Sequence, residues 1–244
     1  MRIVSYNLHF GGRKGPGNAW EIMGREFAAD LVCAQESRDP CRDLAAGGDV
    51  HGKHCLWKSA QDRNWGSAIL ARSALLEPVP LDAYEGWVIG ARVHDIAIGD
   101  GRRSLMVFSI HAKSPSPYPP VVAKILDCIG RAWDGTTPLI LAGDFNMTMA
   151  RRQARETLKN VRAEIDILKR MHDEFGVVNA WQALHPDVDL PQTLRWSNDP
   201  KLPFHCDGIL VSESLVAGLA SACIVQQGHW ATASDHNPIV VDFR

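Results

Sequence analysis

Polar side chains stand where apolar runs end or begin: Asn7, Glu36, His111, Asp144, Asn146, Asp207, Asp235 and His236. The densest case is Leu139-Ile140-Leu141-Ala142-Gly143-Asp144-Phe145-Asn146. Apolar residues run into a glycine, then an acid and an amide follow two apart. A strand's period of two would send both side chains to the same side, pairing a proton acceptor with a neutral hydrogen-bond donor. Taken singly, each Asn or Asp is more readily a turn former, and each His a satisfied structural residue. Taken as a set, carboxylates and amides with few thiols suit Mg²⁺ or Mn²⁺ rather than zinc. A hard cation, a carboxylate base and imidazoles are what attack of water on a phosphoester needs.

These residues need strands to carry them. Arg2 to Leu8, Leu31 to Gln35, His54 to Ser59 paired with Gly66 to Ala71, and Val88 to Ile98 paired with Ser104 to His111 read as strands. Gly99-Asp100-Gly101 marks the second pair as a hairpin. Leu139 to Ala142 reads as a fully buried strand because no polar residue alternates there. Gly143 lets the backbone leave the sheet. Thr193 to Trp196, His205 to Ser212, Ala222 to Gln226 and Ile239 to Phe243 follow as later strands.

Asn18 caps a helix with Trp20, Met23 and Phe27 on its apolar face. Ser37 to Gly52 reads as loop, and Ser114 to Pro120 as a stiff polyproline-like loop before a helix from Val121 to Trp133. After Asn146, Ala150, Ala154, Leu158, Val161, Ile165, Leu168 and Met171 step at helical period. Val177 to Leu184 is either a short strand or a short helix. Hairpins and strand-helix-strand crossovers together predict one α/β domain over residues 1–244 with mixed sheets.

With 244 residues, 45% hydrophobic and 22% charged, the chain is an ordinary globular sequence. No apolar run reaches the ~20 residues of a membrane span, and the first residues enter a strand pattern without a leader-like apolar stretch. A soluble, cytoplasmic protein is expected. Cys33, Cys41, Cys55, Cys128, Cys206 and Cys223 are scattered and read as reduced thiols. A net charge of −2 argues against a strong general attraction to nucleic acid, though a local basic patch can suffice.

The order of the pieces resembles the endonuclease/exonuclease/phosphatase superfamily, the DNase I-like group. The motifs are Ser5-Tyr6-Asn7-Leu8, Cys33-Ala34-Gln35-Glu36, Gly66-Ser67-Ala68-Ile69-Leu70, Ser109-Ile110-His111, Gly143-Asp144-Phe145-Asn146, Cys206-Asp207-Gly208-Ile209-Leu210-Val211-Ser212 and Ser234-Asp235-His236. The resemblance implies a four-layered α/β sandwich, with two mixed β-sheets packed face to face and helices outside. It implies Glu36 as the main Mg²⁺ ligand, with Asn7 and Asp235 close to the same ion or its waters. Asp144 would orient or deprotonate the attacking water, and Asn146 would hold that water or a phosphate oxygen. His236, oriented by Asp207, would contact the scissile phosphate, and His111 would meet the phosphate or assist the leaving group. Some nucleases of this group carry an acid two places after the first-strand Asn; this chain has His9, which would meet a substrate phosphate or cap the loop.

The phosphoester is less defined. Arg151, Arg152, Arg155, Lys159 and Arg162 follow the Asp144-Phe145-Asn146 turn, and a polyanion would offset their unfavourable place at a helix start. The alternative is a solvated basic face partnered by Glu156 and Glu164. Trp65, Trp196, Phe204 and Trp230 lie near the motifs and would wall a pocket or stack on bases, with core packing favoured for at least half of them. The leading expectation is a Mg²⁺-dependent phosphodiesterase acting on nucleic acid, with no obligate protein partner. The alternatives are a phosphatase or phospholipase C-like hydrolase of inositol phosphates, sphingomyelin or another small phosphoester, and an inactive binding module on the same fold.

Overall fold

A computed structural model describes residues 1–12, 19–40, 54–113, 117–150, 159–196 and 199–244. The strands in chain order are β1 (Arg2–Asn7), β2 (Leu31–Ser37), β3 (Cys55–Ser59), β4 (Gly66–Ala71), β5 (Leu75–Val79), β6 (Val88–Ile98) and β7 (Gly101–His111). They continue as β8 (Leu139–Asp144), β9 (Val177–Asn179), β10 (Leu194–Trp196), β11 (Asp199–Phe204), β12 (Asp207–Ser212), β13 (Leu219–Ile224) and β14 (Ile239–Phe243). One six-stranded sheet has the order β13-β14-β1-β2-β4-β3, the other β5-β6-β7-β8-β12-β9, and β10 and β11 form a separate ribbon. Each large sheet is mixed: β1 runs parallel to β2, and β7 parallel to β8, among antiparallel neighbours.

The all-apolar start of β8 has a direct cause. Ile140 and Ala142 enter the core between the sheets, packed with Ile3, Leu31, Cys33 and Ile69 of the first sheet. Leu139 and Leu141 enter a second core beneath the helices Tyr118–Ala132 and Lys159–Phe175. A strand covered on both faces has no position for a polar residue. On the outer face of the first sheet, Trp20, Met23 and Phe27 of the helix Ala19–Phe27 pack with Val4, Tyr6 and Trp230. Helix, sheet, sheet and helix make the expected four-layered DNase I-like sandwich.

Several local expectations need correction. Tyr118, Pro119 and Pro120 begin the helix rather than extending the loop; first-turn prolines lose no hydrogen bond, since those N–H groups have no partner within the helix. Val177 to Leu184 is both alternatives, the strand β9 followed by the helix Ala180–Leu184. In Lys159–Phe175 the buried stripe runs through Ile167, Met171 and Phe175, while Ile165 is exposed. β5 has no counterpart in the sequence reading because Pro78 masks it, and as an edge strand it tolerates that proline. β11, also unforeseen, contains Pro200 and Pro203 and, among the described residues, pairs with β10 alone. The Asn18 cap, most of the Ser37–Gly52 loop, Ser114 to Ser116, and Arg151, Arg152 and Arg155 lie outside the described residues.

Candidate active site

Strand pairing brings these ends together, parallel between β7 and β8 and antiparallel between β8 and β12. His111 lies opposite Asp144 across β7 and β8, and Asp207 opposite Asp144 across β8 and β12. Asn7 ends β1 beside Gln35 of β2. Gly143 makes the corner possible, because its φ is +144° and a Cβ there would stand 1.9 Å from the Ile110 carbonyl oxygen. Asn146 follows at φ +52°, with its N–H donating to Asp144 Oδ1 at 2.9 Å. The Asx turn and the clustering of the acid with the amide are thus the same structure.

Glu36 falls in a register irregularity between Ala34 and Ser37 and takes φ +47°. Gln35 remains buried, where Nε2 donates to Ser109 Oγ of the other sheet at 3.0 Å. The irregularity sends Glu36 to the mouth instead. Its Oε2 accepts the Phe10 N–H at 2.8 Å, and its Oε1 lies 3.6 Å from His111 Nε2.

Asn7 donates Nδ2 to Asp144 Oδ2 at 3.0 Å and to Glu36 Oε1 at 3.4 Å, while its Oδ1 accepts the His9 N–H at 3.0 Å. It therefore turns a nitrogen, not an oxygen, toward the two carboxylates. Asn146 Nδ2 reaches Asp144 Oδ2 at 3.3 Å and the Ala112 carbonyl at 3.1 Å. His236 Nδ1 bonds both oxygens of Asp207, at 3.0 and 2.9 Å, leaving Nε2 3.7 Å from Asp144 Oδ2. His9 Nδ1 pairs with Asp235 Oδ1 at 2.7 Å.

Burial raises the Asp144 carboxyl above the ordinary range, with the charge of Asp207 adding to it and His236 and His111 opposing. Burial alone would lower His236, but the charges of Asp207 and Asp144 outweigh it and lift the imidazole to about 10. Burial, with Asp207 and Asp144 nearby, keeps the Cys206 thiol protonated.

A cavity of ≈ 540 Å³ is lined by Glu36, His111, Asp144, Asn146, Asp235 and His236 together. Asn7 and Asp207 stand behind it as hydrogen-bond partners. Oxygen donors from three carboxylates on one cavity fit a hard divalent cation. Among the described residues, Asp144, Cys206, Asp207 and His236 also place ligand atoms within 4.8 Å of one another, a buried acid and imidazole cluster. Of the aromatics singled out from sequence, Trp65 and Trp230 are buried, and Trp65 also lines the cavity.

Sequence reasoning passed over Phe10, Arg63, Trp87, Tyr118 and Arg195, all of which line the cavity. Arg195 donates to the carbonyls of Trp230 at 3.3 Å and His236 at 3.2 Å, and also bonds the Ser234 carbonyl and Asn237 Oδ1. It pins the turn that presents His236. Its only sequence signal was an arginine inside a short strand pattern, since its partners lie some forty residues away.

The model of the Endonuclease/Exonuclease/phosphatase family matches residues 4–236. A curated relative, the Transposon TX1 uncharacterized 149 kDa protein of Xenopus laevis, is 21% identical over 97% of this chain, which spans only 18% of that protein. Among solved structures, an AP endonuclease from Archaeoglobus fulgidus superposes with a TM-score of 0.70 at 20% identity, covering 100% of this chain and 99% of the other. A 3'-5' exonuclease from Neisseria meningitidis does so with a TM-score of 0.73 at 19% identity, covering 100% and 99%. At such identities the likeness is one of fold. With the family pattern running from the first strand to His236, the chain belongs to the Endonuclease/Exonuclease/phosphatase family.

Proposed function

We propose that the chain is a Mg²⁺- or Mn²⁺-dependent phosphodiesterase that hydrolyses nucleic acid by attack of water on phosphorus, and that residues 1–244 work as one domain. The observation that carries this reading is the convergence of Glu36, Asp144, Asn146, His111 and His236 on one cavity. The nuclease names of the similar solved structures support nucleic acid as the substrate class.

In this reading Asp144 receives a proton from the attacking water. Its raised pKa makes it a better base near neutrality than a free carboxylate. Asn146 and Asn7 hold the same carboxylate by their amide nitrogens and fix its direction. As the water–phosphorus bond forms and the bond to the leaving oxygen breaks, negative charge grows on the phosphoryl oxygens. His236, kept protonated and aimed by Asp207, offers Nε2–H to that charge. His111 Nε2, between Glu36 and Asp144, contacts the phosphate or the leaving oxygen. A divalent cation held by Glu36, with Asp235 and the Asn7 corner nearby, would supply neutralisation of the phosphate charge. His9 acts here through its pair with Asp235.

The test is cleavage by the purified chain of plasmid, abasic and single-stranded oligonucleotides, RNA, inositol phosphates and sphingomyelin, with Mg²⁺ and with EDTA. Cation-dependent cleavage of a nucleic acid is expected. Turnover of only the small phosphoesters, or none at all, overturns the reading.

A further inference from the structure

The cavity carries an aromatic wall that attack on a bare phosphoester does not require. Phe10 is 51% exposed, a large apolar ring left in water. Its φ of +53°, next to His9 at +48°, is a conformation that non-glycine residues seldom hold without cause. The Phe10 N–H donates to Glu36 Oε2 at 2.8 Å, so this corner is tied to a carboxylate of the site. Its ring centroid lies 6.1 Å from that of Trp65, which meets Trp87 edge-on at 5.4 Å. The His111 ring stands 5.8 Å from Trp65 and 5.2 Å from Trp87.

Two cations accompany the wall. The Arg63 guanidinium sits 5.8 Å from the Trp65 ring centre, and Lys113 Nζ sits 5.3 Å from that of Trp87. Phe10, Arg63, Trp65 and Trp87 share the cavity with Glu36, Asp144 and His236. Trp65 and Trp87 are buried and support the wall from behind, while Phe10 is its free face. An exposed aromatic ring with cations close by, beside a phosphate site, suits unpaired nucleic acid, since every base offers a π-face.

We infer that Phe10, backed by Trp65 and Trp87, stacks an unpaired nucleobase beside the scissile phosphate, with Arg63 and Lys113 set against flanking backbone phosphates. The inference rests on the nucleic-acid reading above and adds a preference to it. In continuous duplex both faces of a base are covered by its neighbours, so the ring is denied a partner. The enzyme therefore selects unpaired strands or ends.

The test uses the full chain and its Phe10→Ala, Phe10→Leu and Phe10→Trp variants. A single-stranded oligonucleotide carrying 2-aminopurine, held in EDTA to prevent turnover, reports stacking by fluorescence quenching. Quenching is expected with the native chain and Phe10→Trp, and not with Phe10→Ala or Phe10→Leu. In Mg²⁺, the ratio of single-stranded to duplex cleavage should fall about tenfold in Phe10→Ala. Native-like quenching or an unchanged ratio in both Phe10→Ala and Phe10→Leu overturns the platform alone. If the native chain cleaves no nucleic acid and turns over only small phosphoesters, the nucleic-acid reading fails and the platform with it.

Discussion

Asp207 and His236 meet from different sheets. Asp207 begins β12 of the second sheet, His236 precedes β14 of the first, and both Asp207 oxygens lie within 3.0 Å of His236 Nδ1. The pair spans the layers, with Asp207 behind the cavity and His236 lining it, and fixes which imidazole nitrogen faces the cavity.

Asp207→Asn should therefore lower turnover by about 10²–10⁴-fold. An amide can donate to Nδ1 and stabilise the wrong tautomer, and it removes the largest charge that keeps His236 protonated. Steady-state kinetics on the best substrate checks this, with circular dichroism confirming the fold. Turnover within a few-fold of native would remove His236 from the reaction.

Asp144→Asn keeps the side-chain shape and the bond from the Asn146 N–H, but it sets an amide nitrogen against the Asn7 and Asn146 donors and cannot accept a proton. Loss of about 10²–10⁴ in turnover is expected, with little change in substrate binding. Single-turnover rates and equilibrium binding of a substrate strand separate the two effects.

Glu36→Gln keeps the acceptor for the Phe10 N–H while removing the charge. EDTA should abolish native activity and Mg²⁺ or Mn²⁺ restore it. The variant should need at least about tenfold more cation for half-maximal activity, because a neutral amide is a weaker ligand than a carboxylate. Titration calorimetry with Mg²⁺ provides a readout independent of turnover.

Gly143→Ala tests the corner itself. With φ at +144° and the added Cβ 1.9 Å from backbone oxygen, the strand ends must separate. A loss of more than about 3 kcal/mol is expected by urea denaturation, with activity lost as well. A folded, active variant would show that the β7–β8 corner is not tightly set.

Away from the site, Asp134 gives a pH signature. Its pKa is lowered first by the Thr137 hydroxyl at 2.6 Å, then by the Thr137 N–H at 2.7 Å, and also by Arg92 at 2.8 Å and the Thr136 N–H at 2.9 Å. A lowered carboxylate adds stability above its unfolded value of 3.8 and loses it as pH falls through the folded one. Asp134→Ala should melt a few degrees below native at pH 7, with the gap closing in acid. A gap that stays constant down to the acid transition would deny the ionised carboxylate this role.

The strand ends and their chemistry were legible in the sequence because they are local facts. An apolar run closed by Gly143 and Asp144, or by Ala34, Gln35 and Glu36, can be seen without knowing what lies beside it. Motif order from Ser5 to His236 carried the resemblance to the family, and the layers were what that resemblance implied. Reading failed where a residue's place depends on a partner. Pro78 hid an edge strand, and Ile165 fell outside the buried stripe because the neighbouring elements decide which helix face is covered.

Tertiary structure alone brought His111 and Asp207 beside Asp144, through the strand registers of one sheet, and set His236 against them from the other sheet. It turned the nitrogen of Asn7 toward the acids, paired His9 with Asp235, set Arg195 among the carbonyls near His236, and left Phe10 in water beside Trp65. The period of a strand is written in its own residues. The company kept by its end is set by pairings between residues far apart in the chain, and those exist only once the two sheets have packed.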